Sequence, residues 1–123
     1  MPVKIADEIP ARKVEAGTGT TIQVLIPPEE GPHFAMRRFT MQPGGSMPCH
    51  TNAVEHEQYV LRGRARIGID GVVYEVRPGS VVFIPAGAPH WYENIGTEPF
   101  VFLCLVPNQP DQIEILDADA SGC

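Results

Sequence analysis

The sequence predicts an all-β fold, a sandwich or barrel of the jelly-roll type, and three observations carry that prediction. Apolar runs are short and alternate with polar residues at period two, and no helical period of useful length is present. Turn residues punctuate the chain at regular spacing, with 13 Pro and 12 Gly in 123 residues. Asp70-Gly71, a strong hairpin signal, separates two β-rich runs, RARIGID and VVYEV. Many short strands must close on one another to protect their edges.

Residues 1–20 show no sustained periodicity and read as an N-terminal arm or edge strand. The barrel is expected over residues 21–107. TIQVLI opens it and stops at Pro27-Pro28, which supply no N–H to a ladder. HFAMRRFTM follows and is expected to end in the turn Pro43-Gly44-Gly45. Alternation places His33, Ala35, Arg37, Phe39 and Met41 on one side and Phe34, Met36, Arg38 and Thr40 on the other. In EQYVLRG, Gln58 and Val60 share the side of His56, and Glu57 faces away. RARIGID alternates Arg64 and Arg66 with Ala65 and Ile67, as a strand with one wet face does. SVVFI is bounded by Pro78-Gly79 and Pro85. In PFVFLCLVP, Phe100, Phe102, Cys104 and Val106 form one face. Residues 108–123 are an acidic, turn-rich tail with a candidate edge strand, QIEIL, and an end expected to be disordered.

The length fits one domain with a real core. A net charge of −6 argues against a nucleic-acid surface, which needs clustered Lys and Arg. Cys49, Cys104 and Cys123 make an odd count without motif spacing, so no disulfide framework is expected and a reducing compartment fits. No basic, apolar leader and no run of membrane length is seen. The expectation is a cytoplasmic protein with a small-molecule substrate and neither nucleic acid nor membrane as partner.

Chemistry concentrates in two stretches, HTNAVEHEQYVLRG (50–63) and GSVVFIPAGAPHWYEN (79–94). They hold three of the four histidines, His50, His56 and His90. Imidazole is a common ligand for late first-row metals, and separate strands of one sheet can aim three of them at one point. The bland alternative, histidines merely buried or on the surface, must explain why three fall in these two stretches. His33 lies outside them and reads as exposed or at an interface.

These stretches resemble the two motifs of the cupin superfamily. The second motif, a glycine, five residues, PxG, two residues, a histidine, three residues and an asparagine, is met by Gly79, Pro85, Gly87, His90 and Asn94. The first has glycine, five residues, HxH, three or four residues, an acidic residue, six residues and glycine. It is met by His50 and Gly63, with Gly44 or Gly45 near its start. Asn52 stands where its second histidine is expected, and His56 where its glutamate is expected. The spacing HxxxxxH, with MRRFTMQPGG and FLCLVP, is similar to small cupins with an all-histidine, manganese-type centre, and the similarity runs over about residues 30–107.

The resemblance implies a double-stranded β-helix, or jelly-roll barrel, holding one divalent transition metal (Mn, Fe, Cu, Ni or Zn). Its ligands would be His50, His56 and His90, with Asn52 near the fourth position. Asn52 either ligates weakly through its amide oxygen or holds a metal-bound water. The pocket would be lined by Arg37, Gln58, Tyr92, Phe102 and Cys104. Arg37 is suited to a substrate carboxylate or enolate, and Cys104 is either a soft neighbour of the metal or a packing residue. Asn94 would brace its turn and Trp91 would pack outside. A homodimer is expected, since small cupins tend to pair through sheet edges. Three functions remain open: a dioxygenase-like oxidoreductase acting on a small enolic or aromatic substrate, a metal-assisted isomerase or hydrolase, and a non-catalytic binding barrel. The apolar pocket face mildly favours the first, and fold alone decides nothing.

Overall fold

The computed structural model describes residues 2–123. A 3₁₀ turn at Ala6–Glu8 precedes ten strands. These are β1 (Arg12–Lys13), β2 (Thr18–Ile26), β3 (Phe34–Thr51), β4 (His56–Arg62), β5 (Ala65–Ile69), β6 (Val72–Val76), β7 (Val81–Ile84), β8 (His90–Asn94), β9 (Phe100–Pro107) and β10 (Glu114–Ile115). All pairs are antiparallel, and the strand order is β6-β5-β8-β3-β9-β4-β7. β2 lies on β3 and carries β1, and β10 also lies on β3. The sheet curls into a jelly-roll barrel.

β3 makes the curl. Its first half, Phe34 to Met41, pairs with β9, and its second half, Ser46 to His50, pairs with β8. Between them Pro43-Gly44-Gly45, expected to end a strand, instead forms a corner inside one. The pairing with β2 jumps there from Met41 to Ser46. Pro43 cannot donate to a ladder and Gly44 takes φ +79°, a conformation that favours glycine. Gly45 is needed for space, since a Cβ would meet Met41 Cγ at 2.7 Å and Thr18 O at 2.9 Å. One strand thus serves both halves of the barrel.

The interior follows the alternation read from the sequence. Met41, Val60, Ile67, Ile84, Phe100, Phe102 and Cys104 are all buried, as is Tyr92. Each large apolar side chain so enclosed contributes about 1.5–3 kcal/mol, and slipping a strand by one residue would turn the set outward. The β5–β6 turn sits at Asp70 (φ 50°) and Gly71 (φ 83°), as the Asp-Gly pair requires. Asn94 braces its turn as expected. Its amide donates to Met41 O and Glu98 O, and its oxygen accepts from Gly96 N.

Two expectations about the ends are corrected. Cys49 and Cys123 form a disulfide, 74 residues apart in sequence, with Cα atoms 6.0 Å apart. The pairing arises because β10 returns the tail onto β3, a contact that cysteine spacing does not reveal. The tail's end is therefore tied down, not loose, and the case for a reducing compartment loses its support. Among the described residues no helix is long and apolar enough to cross a membrane.

Gly68 has a different role from the turn glycines. A Cβ there would lie 2.0 Å from Trp91 Nε1, so the indole rests on the bare backbone of β5. Gly68→Ala is expected to push Trp91 aside and cost about 1–3 kcal/mol. The check is urea unfolding together with the emission wavelength of this single tryptophan. An unshifted spectrum and midpoint would rule the contact out.

Candidate metal centre

The histidines come together through register. His50 of β3 and His90 of β8 are direct cross-strand partners, with ring centres 4.1 Å apart. His56 opens β4, and its ring lies 5.8 Å from that of His90. Two imidazoles on one ion, with metal–nitrogen bonds of about 2.1 Å, keep their ring centres roughly 4.5–5.5 Å apart. The observed spacings bracket that value. Among the described residues no three His, Cys, Asp or Glu side chains form a finished ligand cluster.

Hydrogen bonds fix which nitrogen is free on two of the three rings. His50 Nδ1 donates to Pro48 O at 2.8 Å, and His90 Nδ1 donates to Ala88 O at 2.9 Å. A carbonyl only accepts, so both rings carry their proton on Nδ1 and keep the Nε2 lone pair for a ligand role. His56 Nδ1 lies 3.2 Å from Cys104 Sγ and 3.5 Å from Arg37 Nη2, and with a thiol and a guanidinium beside it these contacts do not fix the tautomer of this ring. His56 Nε2, His90 Nε2 and Asn52 Oδ1 are buried and have no hydrogen-bond partner. An orphaned buried polar atom costs roughly 1–3 kcal/mol, and the lone pairs of His90 Nε2 and Asn52 Oδ1 are of the kind that a cation would satisfy.

Burial holds these imidazoles neutral. Desolvation dominates in each case, lowering His50 and pushing His90 down to about 4. His56 is pushed down to about 3 by burial, with the Arg37 guanidinium and His90 adding to it. Neutral imidazole is the form that ligates metals.

The remaining pocket residues make a row across three strands. Cys104 of β9 stands between Arg37 of β3 and Gln58 of β4 in direct register. Arg37 Nη2 donates to its sulfur at 3.1 Å, and Gln58 Nε2 approaches it at 3.5 Å. Gln58 also donates to the Tyr92 hydroxyl at 2.7 Å. Burial raises both the Cys104 thiol and the Tyr92 phenol, so each keeps its proton at neutral pH. Phe102 stacks on Tyr92 at 5.4 Å and on Phe39 at 5.2 Å, and Arg37 lies over Phe39 at 5.1 Å. Arg37 Nε is buried without a partner, and no carboxylate among the described residues forms an ion pair with this side chain.

The structure brings most of the residues singled out from the sequence into one neighbourhood. His50, His56, His90, Gln58, Tyr92, Phe102 and Cys104 line one cavity of about 40 Å³, Arg37 reaches it through Cys104, and Asn52 is not among the residues that line it. That space admits about two or three water-sized groups. A larger hollow of about 620 Å³ lies elsewhere, beside Val72, Tyr74, Glu75, Val81 and Phe83, and holds none of the histidines. The chemistry, not the volume, identifies the site. Sequence reasoning missed Asp111, which lies in the tail. Its Oδ2 accepts from Asn52 Nδ2 at 3.1 Å, and its Oδ1 accepts from Ala53 N at 2.8 Å. Pairing Cys49 with Cys123 would have brought the tail to His50 and exposed the omission. His33 is exposed, as expected.

With this geometry in place, the family can be stated. A cupin domain model matches residues 37–106, and the chain belongs to the cupin family. It is 30% identical over 104 residues to an uncharacterized protein of Methanocaldococcus jannaschii, covering 80% of this chain and 83% of that one. It also superposes on the polyketide cyclase RemF from Streptomyces resistomycificus with a TM-score of 0.84. That match is 31% identical and covers 97% of this chain and 89% of the other. Oxalate decarboxylase of Bacillus subtilis is 37% identical over 70 residues, which is 52% of this chain but only 18% of that longer protein.

The lowered imidazoles give a signed pH dependence for the metal-free protein. An unfolded histidine takes its proton near pH 6.5, whereas His56 and His90 resist down to about 3 and 4. Below about pH 6.5 the unfolded state binds more protons, so stability falls as pH falls and is intact above that value. Urea midpoints of the chelator-treated protein should decline steadily from about pH 7 to about pH 4.5. A constant midpoint would mean that the rings are solvated.

Proposed function

We propose that this cupin is a metal-dependent enzyme in which His50, His56 and His90 hold one divalent transition ion, with Asn52 at a fourth position. The substrate is small and presents an enolic, phenolic or carboxylate oxygen. The set of buried, unpartnered atoms, His56 Nε2, His90 Nε2 and Asn52 Oδ1, carries this reading. Such an ion supplies positive charge that polarises a substrate oxygen, and three imidazoles with an amide leave that charge uncancelled. The rest is the work of the chain's own groups. Arg37, with no carboxylate of its own, takes an anionic oxygen of the substrate. Tyr92 accepts from Gln58 and keeps its own hydrogen to donate into the cavity. Phe39, Phe102 and Met41 wall out water. The small cavity admits a compact substrate or only the oxygen-bearing end of a larger one.

The reaction we favour is polarisation of an enolic or carbonyl oxygen without net redox change. The likeness to a polyketide cyclase over nearly the whole chain supports it, moving weight from the oxidation that the sequence favoured. Dioxygenase-like oxidation is the second reading, supported by the apolar walls and the scarcity of acid–base groups. Turnover of enolic and phenolic compounds that is unchanged without dioxygen supports the first, and stoichiometric oxygen uptake supports the second.

Protein purified without chelator or affinity tag should carry about one equivalent of transition metal per chain by elemental mass spectrometry. His56→Ala should abolish uptake, and Asn52→His should tighten it by about tenfold, the scale on which changes around a metal centre act. Equal affinity in all three proteins would overturn the ligand assignment.

We extend the proposal to a homodimer. Tyr59 and Leu61 on β4 and Val81 and Phe83 on β7 form an exposed apolar stretch on the outer face. A second copy would cover it. Light scattering should give twice the chain mass, and Phe83→Glu should return it to the monomer value.

A further inference from the structure

Asp111 is hard to explain as surface decoration. It is exposed, yet both of its carboxylate oxygens accept hydrogen bonds from the segment that follows His50. Oδ2 takes the amide of Asn52, a residue only 9% exposed, while Oδ1 takes Ala53 N and Gln112 N. A carboxylate only accepts, so the Asn52 NH₂ must face Asp111 and its oxygen must face away from it. That oxygen is the unpartnered one. With the amide reversed, two partially positive hydrogens would point where the metal is proposed to sit.

The segment that carries Asp111 has little of its own to hold it. From Gln109 to Ala120 only Leu116 and Ala120 are better than exposed, and β10 is two residues long. Beyond Asn108, which donates to Gly31 O and His33 O, and apart from Asp111 itself, its ties to the barrel are the pairing of Glu114 and Ile115 with Thr51 and His50, the bond from Leu116 N to Cys49 O, and the Cys49–Cys123 bridge. All three fall on the strand end that bears His50. Near the bridge the chain also wedges against the second histidine strand, where a Cβ on Gly122 would lie 2.9 Å from Pro89 Cγ. A segment with so few buried contacts opens easily unless a covalent link returns it.

We propose that residues 108–123 form a strap that completes the metal centre, with Asp111 as a positioning residue acting through Asn52 and the Cys49–Cys123 bridge as its latch. The proposal rests on the metal-centre reading above and deepens it. Reduction by a dithiol opens the latch. The Sγ–Sγ bond breaks, Cys49 and Cys123 each gain one electron and one proton, and the dithiol becomes a disulfide. The freed strap then lets Asp111 leave Asn52. The amide is no longer held oxygen-inward, and the centre loses its fourth donor while keeping three imidazoles.

The test is cobalt(II) binding to the full-length, metal-free chain, followed by the visible absorption of the bound ion. The proteins are wild type, Asp111→Ala, Asn52→Ala, the double variant and Cys123→Ser, which lacks the latch without disturbing the buried Cys49. Wild type reduced with a dithiol and desalted under argon is the sixth sample, and far-ultraviolet circular dichroism checks the fold of each. Asp111→Ala, Cys123→Ser and reduced wild type are expected to bind cobalt about tenfold more weakly than oxidised wild type, with one altered spectrum in common. In the Asn52→Ala background, Asp111→Ala is expected to add nothing beyond about twofold. That cycle separates positioning from charge, since a carboxylate acting directly on the ion would weaken binding in both backgrounds alike. Equal loss in both backgrounds, or wild-type binding by Asp111→Ala, overturns the strap while leaving the three-histidine centre in place. Failure of oxidised wild type to bind cobalt at all overturns the centre itself, and the strap with it.

Discussion

The register between β3 and β8 is the constraint on which the rest of the site depends. It sets His50 directly across from His90, and both rings use the same local device, an Nδ1–H bonded to the carbonyl two residues earlier. That bond fixes the tautomer without a side-chain partner, so the carbonyls of Pro48 and Ala88 act as built-in orienting groups. The register in turn depends on the corner at Pro43-Gly44-Gly45. The corner lets the same strand that lays Arg37 beside Cys104 also lay His50 beside His90. A straight β3 would place one of these pairs, not both.

Much of this was legible because it follows from period two. Once β4, β8 and β9 are recognised, alternation alone turns His56 and Gln58, His90 and Tyr92, and Phe102 and Cys104 inward. The cupin motifs point to the rest of the proposed ligand set. What alternation cannot supply is lateral information. It does not say that Cys104 falls between Arg37 and Gln58, because that depends on which strands are neighbours. The tail was misread for the same reason. Cys49 lies one residue off the parity of His50, and Cys123 lies at the end of a polar stretch, so neither residue's local pattern points to the other. Their pairing is a property of how β10 returns to β3. Asp111 went unseen with it.

The reading of Pro43-Gly44-Gly45 as a turn shows how one local signal can carry two meanings. Proline and glycine mark a place where ladder hydrogen bonds fail and φ turns positive. A hairpin uses such a break to reverse direction. A strand passing from one half of a barrel to the other uses it to bend while keeping its direction. The chemistry of the residues is the same, and only the partners before and after, β9 and then β8, tell the two apart.

Electrostatics join the pocket residues into one argument. Three neutral imidazoles and an amide give a dication no charge compensation, and Arg37 adds a further positive charge held by a thiol, a ring face and no carboxylate. Taking unbalanced charge out of water is expensive unless it is paired. Asp111 is the carboxylate that acts on all three histidines, and it sits at the exposed rim, where solvent weakens its effect. Positive charge would therefore remain in surplus inside the cavity once an ion is bound there. A neutral substrate would leave that surplus standing, whereas an oxygen anion placed between the ion and Arg37 would pair with both.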